Sequence, residues 1–332
     1  MKLGILDQSP IATGQSAQEA LQASLQLAQE GDRLGYSRIW LTEHHDLTGL
    51  ACSVPEVLIS YIGAQTKNIR IGSGAVLLPH YKPYRIAEIY NMLATLFPGR
   101  VDMGIGRAPG GSAEATMALS DNFLQNVYKM PELVQELLNF IRDEFPKEHL
   151  FSNTSAAPIP KVPPEPWILG TSGKSAKLAA ENGTAYAFGE FMSENDGLKS
   201  LQQYRENFQT KGFLKEPKTI VSVAAICAET EELAKEIALS NTLWKIQSGQ
   251  RDRKQVPSIE EVRNHDWTEK EKVLMETMHE KLIFGTPSQV KYRLLEIQEK
   301  YQADEIMLIT ITHKLEDRLN SYRLIAKELL NN

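Results

Sequence analysis

The chain is poor in cysteine, in long apolar runs and in positive charge, and each shortage removes a class of protein. Two cysteines in 332 residues, Cys52 and Cys227, stand far apart and outside any metal-ligand spacing. That argues against a disulfide framework and fits reduced thiols in a reducing compartment. No apolar stretch approaches the ~18 residues that span a bilayer. The apolar N-terminal run is broken by Asp7, as in a strand rather than a signal peptide, so the expectation is a cytoplasmic protein with no membrane partner. The net charge is −6, and no basic stripe carries interleaved aromatics. A nucleic-acid partner is therefore not expected. There is no low-complexity tract and no repeat at a solenoid period. With 42% hydrophobic residues, the chain can bury a large core.

What is present is an alternation. Short apolar segments at 3–6, 38–41, 69–78, 101–105, 167–169, 185–188, 219–228 and 305–309 read as strands. Between them lie helix-like stretches at about 17–34, 55–66, 84–97, 175–181, 194–209, 288–300 and 315–330. Apolar strands that alternate with helices predict parallel pairing, and eight such units close into a barrel. The fold class is α/β, a (β/α)8 TIM barrel forming a single domain over 1–332, with insertions after strands 4 and 7. The first insertion, about 145–166, is crowded with prolines and is expected to be extended and ordered by contacts. The second, about 245–282, is polar and includes Lys245, Arg251, Asp252, Arg253 and Lys254. A loop of that length in a compact domain reads as a lid.

Barrel enzymes place their chemistry at the carboxyl ends of the strands, and those positions are polar or glycine-rich here. They carry Asp7, Gln8 and Ser9; Glu43, His44 and His45; Gly74, Ala75, Pro79 and His80; Gly106, Arg107, Gly110 and Gly111; residues 170–175; and Glu190. Two phosphate motifs fail on inspection. Pro109 stands where a G-x-G-x-x-G fingerprint needs glycine, and Ile168 stands where a P-loop ending at Gly173-Lys174-Ser175 needs one. Arg107 is then either a solvated turn residue or a guanidinium fork aimed at a phosphate or carboxylate. The turn at 170–175 is either a bare helix cap or an anion site, with Ser172 and Ser175 adding hydroxyls to the helix N-terminus. His44 and His45, adjacent on a strand, point to opposite faces and do not share a metal ion, so no metal is expected. A histidine at a barrel mouth serves as an acid or base, or as a hydrogen-bonded structural group.

At these residues the sequence resembles the bacterial-luciferase-like flavin monooxygenases. Trp40-Leu41-Thr42-Glu43-His44-His45 is similar to the family's Trp-x-x-Glu-His-His, and the run 71–107 carries its Gly-Ser-Gly, Leu-Pro, Ala-Glu, Pro-Gly-Arg and Gly-x-Gly-Arg elements. Residues 168–188 resemble a third block, so the resemblance covers essentially the whole chain. It implies an (α/β)8 barrel that binds reduced FMN (FMNH2) from a separate NAD(P)H-dependent flavin reductase. O2 is the cosubstrate, and a C4a-hydroperoxide transfers one oxygen atom to a small organic molecule. It further implies that Arg107, Ser172, Gly173 and Ser175 hold the phosphate and that His44 is the catalytic acid or base, oriented or polarised by Glu43. Gly74 and Ala75 lie under the flavin ring, where the family often has a non-proline cis peptide, and 245–282 is a mobile lid. Phe191, Met192 and Trp244 are pocket candidates, and a homodimer is common in the family. Gly106 stands where light-emitting members carry a reactive cysteine, so luminescence is not implied. Two competing readings are a deazaflavin-dependent oxidoreductase on the same barrel and a flavin-binding protein without turnover.

Overall fold

The computed structural model describes residues 1–195, 197–248 and 255–330. The first long helix, Ala17–Leu34, shows how local sequence sets the elements. Ser16 Oγ accepts the Glu19 N–H (3.2 Å) and Glu19 Oε2 accepts the Ser16 N–H (2.8 Å), a capping box that satisfies two orphan donors. Ala20, Ala23, Leu27, Ala28 and Gly31 then recur at helical spacing and are buried, and Gly35 ends the helix at φ 84°.

The strands are β1 (Leu3–Asp7), β2 (Arg38–Leu41), β3 (Arg70–Ser73), β4 (Val76–Leu77), β5 (Val101–Gly106), β6 (Glu165–Gly170), β7 (Ala185–Gly189), β8 (Thr219–Cys227), β9 (Ile283–Gly285) and β10 (Glu305–Ile309). Their ladders are parallel, in the order β10-β1-β2-β3-β5-β6-β7-β8, and β8 pairs with β10 to close the ring. This is the expected (β/α)8 barrel. The third strand, expected as one run over 69–78, breaks at Gly74-Ala75, whose peptide is cis as the resemblance implied, and β4 resumes beyond the break on β5. β9 pairs with the distal part of β8.

Alternation along each strand sorts side chains into two shells. On β8, Val221, Val223, Ala225 and Cys227 pack outward under the helices. Ile220, Ala224 and Ile226 pack inward with Leu6, Trp40, Trp167 and Met307. The two tryptophans meet edge to face at 5.2 Å. Inward positions on β3 and β5 include Gly72 and Gly104, and a Cβ at Gly104 would lie 2.0 Å from the Ser73 carbonyl oxygen. Glycine is therefore what lets these two strands approach around the indoles. At the opposite end from the mouth the barrel is closed by charge. Arg38 pairs with Asp102 at 2.6 Å and with Glu305 at 3.0 Å, all three nearly fully buried.

The connection from β5 to β6 carries helices Ala113–Leu119, Phe123–Tyr128 and Met130–Arg142. Residues 143–164 hold no helix or strand. Asn91 Nδ2 donates to the Ala156 carbonyl (2.7 Å), and Phe145 and Phe151 pack on Phe140, so this stretch is ordered by contacts as anticipated. The last two residues of the expected 145–166 segment, Glu165 and Pro166, already belong to β6. From β8 to β10 the chain forms Glu231–Ser248, Ile259–Arg263, Glu269–Lys281, β9 and Pro287–Tyr301. The stretch 245–282 is thus largely helical where described; Arg251, Asp252, Arg253 and Lys254 lie outside the described residues. Among the described residues no helix is long and apolar enough to cross a membrane.

Candidate active site at the barrel mouth

Register brings most of the predicted site residues onto one arc. Leu41 pairs with Ser73, and the Gly74 N–H donates to the Leu41 carbonyl (2.7 Å). Leu77 pairs with Gly106, and Ile105 pairs with Ile168. The carboxyl ends of β2, β3–β4, β5 and β6 are therefore consecutive around the mouth. They carry His44, Gly74-Ala75, Gly106-Arg107 and the 170–175 turn in that order.

The Glu43-His44-His45 run splits by alternation. His44 Nδ1 is 2.9 Å from Thr42 Oγ1, and the ring is half-buried. Glu43 and His45 face the other way, Glu43 Oε1 accepting from His45 Nε2 at 2.7 Å. The same oxygen accepts from the Tyr81 hydroxyl at 2.7 Å, and Glu43 Oε2 accepts the Leu77 N–H at 2.9 Å. Glu43 is only 3% exposed, so it holds neighbours in place rather than facing the mouth. Tyr81 was not legible as a site residue, because its partner lies 38 positions away.

Arg107 stands exposed just past β5 and makes no hydrogen bond or ion pair with a described residue. Helix Gly173–Asn182 starts just past β6, the strand next to β5, offering the N–H groups of a helix N-terminus. The Ser175 hydroxyl is turned inward, donating to the Ser172 carbonyl (2.7 Å) and meeting the Tyr186 hydroxyl at 3.2 Å. Ser175 therefore fixes the turn in this conformation. A Cβ on Gly106 would lie 2.9 Å from the Ala75 methyl and 3.3 Å from Leu77 Cδ2, so any side chain at position 106 would crowd the Gly74-Ala75 segment. An unpaired guanidinium, a helix N-terminus and a glycine-lined floor suit a planar group bearing a phosphate.

Other candidates fall elsewhere. Glu190 lines a cavity of about 580 Å³ with Lys281, Arg293 and Lys300, away from His44 and Arg107; burial raises its carboxyl, against the pull of those cations. Phe191 and Trp244 pack with the barrel-lining cluster, whereas Met192 is 66% exposed. Cys52 and Cys227 are buried, which pushes both thiols up to about 12 and keeps them unreactive at neutral pH. Among the described residues no group of three His, Cys, Asp or Glu is placed to hold a metal ion.

A family model described as luciferase-like monooxygenase matches residues 1–303. The uncharacterised protein YwcH of Bacillus subtilis (strain 168) is 43% identical across 98% of this chain and 98% of its own length. The N-acetyl-S-alkylcysteine monooxygenase of the same organism is 32% identical across 99% of this chain and 98% of its own. Among solved structures, apo-MsnO8 matches with a TM-score of 0.89 and 30% identity over 100% of this chain and 98% of its own. The oxygenating constituent of 3,6-diketocamphane monooxygenase from Pseudomonas putida, solved in complex with FMN, shares the fold, with a TM-score of 0.72 at 20% identity over 99% of this chain and 98% of its own. The family match, spanning nearly the whole barrel, and relatives of this identity across the full length lead to one conclusion: the chain belongs to the luciferase-like monooxygenase family.

Proposed function

We propose that the chain is a monooxygenase that uses reduced FMN and O2 to place one oxygen atom on a small organic substrate. The observation that carries this is the convergence on one arc of Arg107, the Gly173 helix N-terminus, the Gly74-Ala75-Gly106 floor and His44. Its support from similarity is the family and a fold relative solved with FMN. Arg107 and the N–H groups at Gly173 and Lys174 hold the phosphate, aided by the Ser172 hydroxyl, while Ser175 keeps the turn in shape. Gly74, Ala75 and Gly106 leave room for the ring. Bound reduced FMN supplies the electrons and the activation of O2. His44 moves a proton at its imidazole Nε2, the Nδ1 side being tied to Thr42. The segment 245–282 acts as a lid that excludes water. Electrons come from a separate NAD(P)H-dependent reductase, since Pro109 breaks the dinucleotide fingerprint and Ile168 the phosphate-loop motif.

Arg107→Ala should weaken FMN binding about ten- to a hundredfold, the effect of losing a charge-assisted partner worth roughly 1.5–3 kcal/mol. A fluorescence titration checks it. Binding as tight as the parent's would remove Arg107 from the site.

A further inference from the structure

We propose that Tyr81 and His45, joined through Glu43, are positioning residues that fix the loop bearing Arg107 and thereby set FMN affinity. The inference rests on the FMN reading above and concerns residues that reading leaves without a role.

Arg107 has no described partner of its own, so the loop after it decides where its guanidinium stands. That loop is pinned at four consecutive residues. His80 Nε2 donates to the Pro109 carbonyl (2.9 Å), and the His45 N–H donates to the Gly110 carbonyl (2.9 Å). Gly111 forms a bridge with His45, and the Ser112 hydroxyl donates to Asp46 Oδ2 (2.6 Å). The approach at Gly111 is close: a Cβ there would lie 2.0 Å from the His45 carbonyl oxygen. Three of these four contacts come from residues 45 and 46, so the loop follows the placement of His45.

His45 is itself held. Its ring donates to Glu43, which also takes the Tyr81 hydroxyl and the Leu77 N–H. The Leu77 bond ties in the strand that follows Gly74-Ala75. The His45 and His80 rings meet edge to face at 5.8 Å. Burial, and then the Glu43 carboxylate, raise the Tyr81 phenol far above its ordinary value, so it remains a donor at any working pH. One buried carboxylate thus locks the floor segment, the His44 segment and, through His45, the arginine loop into one arrangement. Preorganising a charged group in this way raises affinity without adding a contact to the ligand.

The test is a double-mutant cycle on the full chain, read by quenching of oxidised FMN fluorescence rather than by turnover. The variants are Tyr81→Phe, Arg107→Ala and the two combined, with His45→Gln replacing Tyr81→Phe should the latter fail to fold. Tyr81→Phe should weaken FMN binding about 5- to 20-fold in the parent and less than about twofold in the Arg107→Ala background, because the two act as one unit. Equal weakening in both backgrounds, or none in either, overturns the proposal. A merely structural role would lower the melting temperature but leave the two effects independent. If Arg107→Ala binds FMN as the parent does, the phosphate reading itself fails, a result distinct from additivity.

Discussion

His44→Ala is expected to fold and to retain flavin, yet to lose roughly 10²–10⁴-fold in the rate of its proton-dependent oxygenation step, the span typical of a positioned acid or base. The basis is geometric. Thr42 and His44 share one face of the chain leaving β2, while Glu43 and His45 share the other. His44 is half-buried at the arc that carries the proposed flavin contacts, and its Nδ1 lies 2.9 Å from Thr42 Oγ1. His45 is engaged with Glu43 and with the 109–112 loop, so His45→Ala should change flavin affinity more than chemistry. Stopped-flow reoxidation of bound reduced flavin after mixing with O2, run on both variants, separates the two. Unchanged kinetics in His44→Ala would end its catalytic role.

Asp102→Ala should destabilise the protein by about 3–5 kcal/mol, the range for removing one member of a buried ion-pair network. Asp102 is fully buried at the closed end of the barrel. Its Oδ2 accepts from Arg38 (2.6 Å) and from Trp40 Nε1 (2.9 Å), and its Oδ1 accepts from Arg70 Nε (2.8 Å). Removing it leaves the buried Arg38 guanidinium, itself 3% exposed, with Glu305 as its remaining close carboxylate, and strips an inward indole N–H of its acceptor. The contrast is the Arg33–Glu30 pair, whose arginine side chain is 63% exposed; such surface pairs contribute about 0–1 kcal/mol. Urea unfolding measures the loss. A drop under about 1 kcal/mol would mean that Glu305 alone compensates the buried Arg38 charge.

Much of this fold was legible. Buried parallel strands read as short apolar runs bounded by turn residues, and the segments at 38–41 and 305–309 coincide with β2 and β10. What was hidden lacks that pattern. The break at Gly74-Ala75 leaves an unbroken apolar run in sequence. Helices Ala113–Leu119 and Phe123–Tyr128 bury no residue, so they carry no amphipathic stripe to read. The polar helix Glu269–Lys281 is hidden for the same reason. At the site, the barrel rule pointed to His44 and Arg107 because strand ends are local features. The Tyr81–Glu43 bond and the pinning of 109–112 depend on how β2, β4 and β5 align, which no single segment encodes. The inward turn of Ser175 and the outward setting of Glu190 are likewise products of packing.

The proposed selectivity of this mouth is for a flavin mononucleotide. It is tested most directly by incubating the pure full chain with equal amounts of FMN and a deazaflavin cofactor, passing it through a desalting column, and recording the absorbance and mass of what remains bound. FMN should be retained by the parent and largely lost from Arg107→Ala. Retention of the deazaflavin in place of FMN, or of neither, would contradict it.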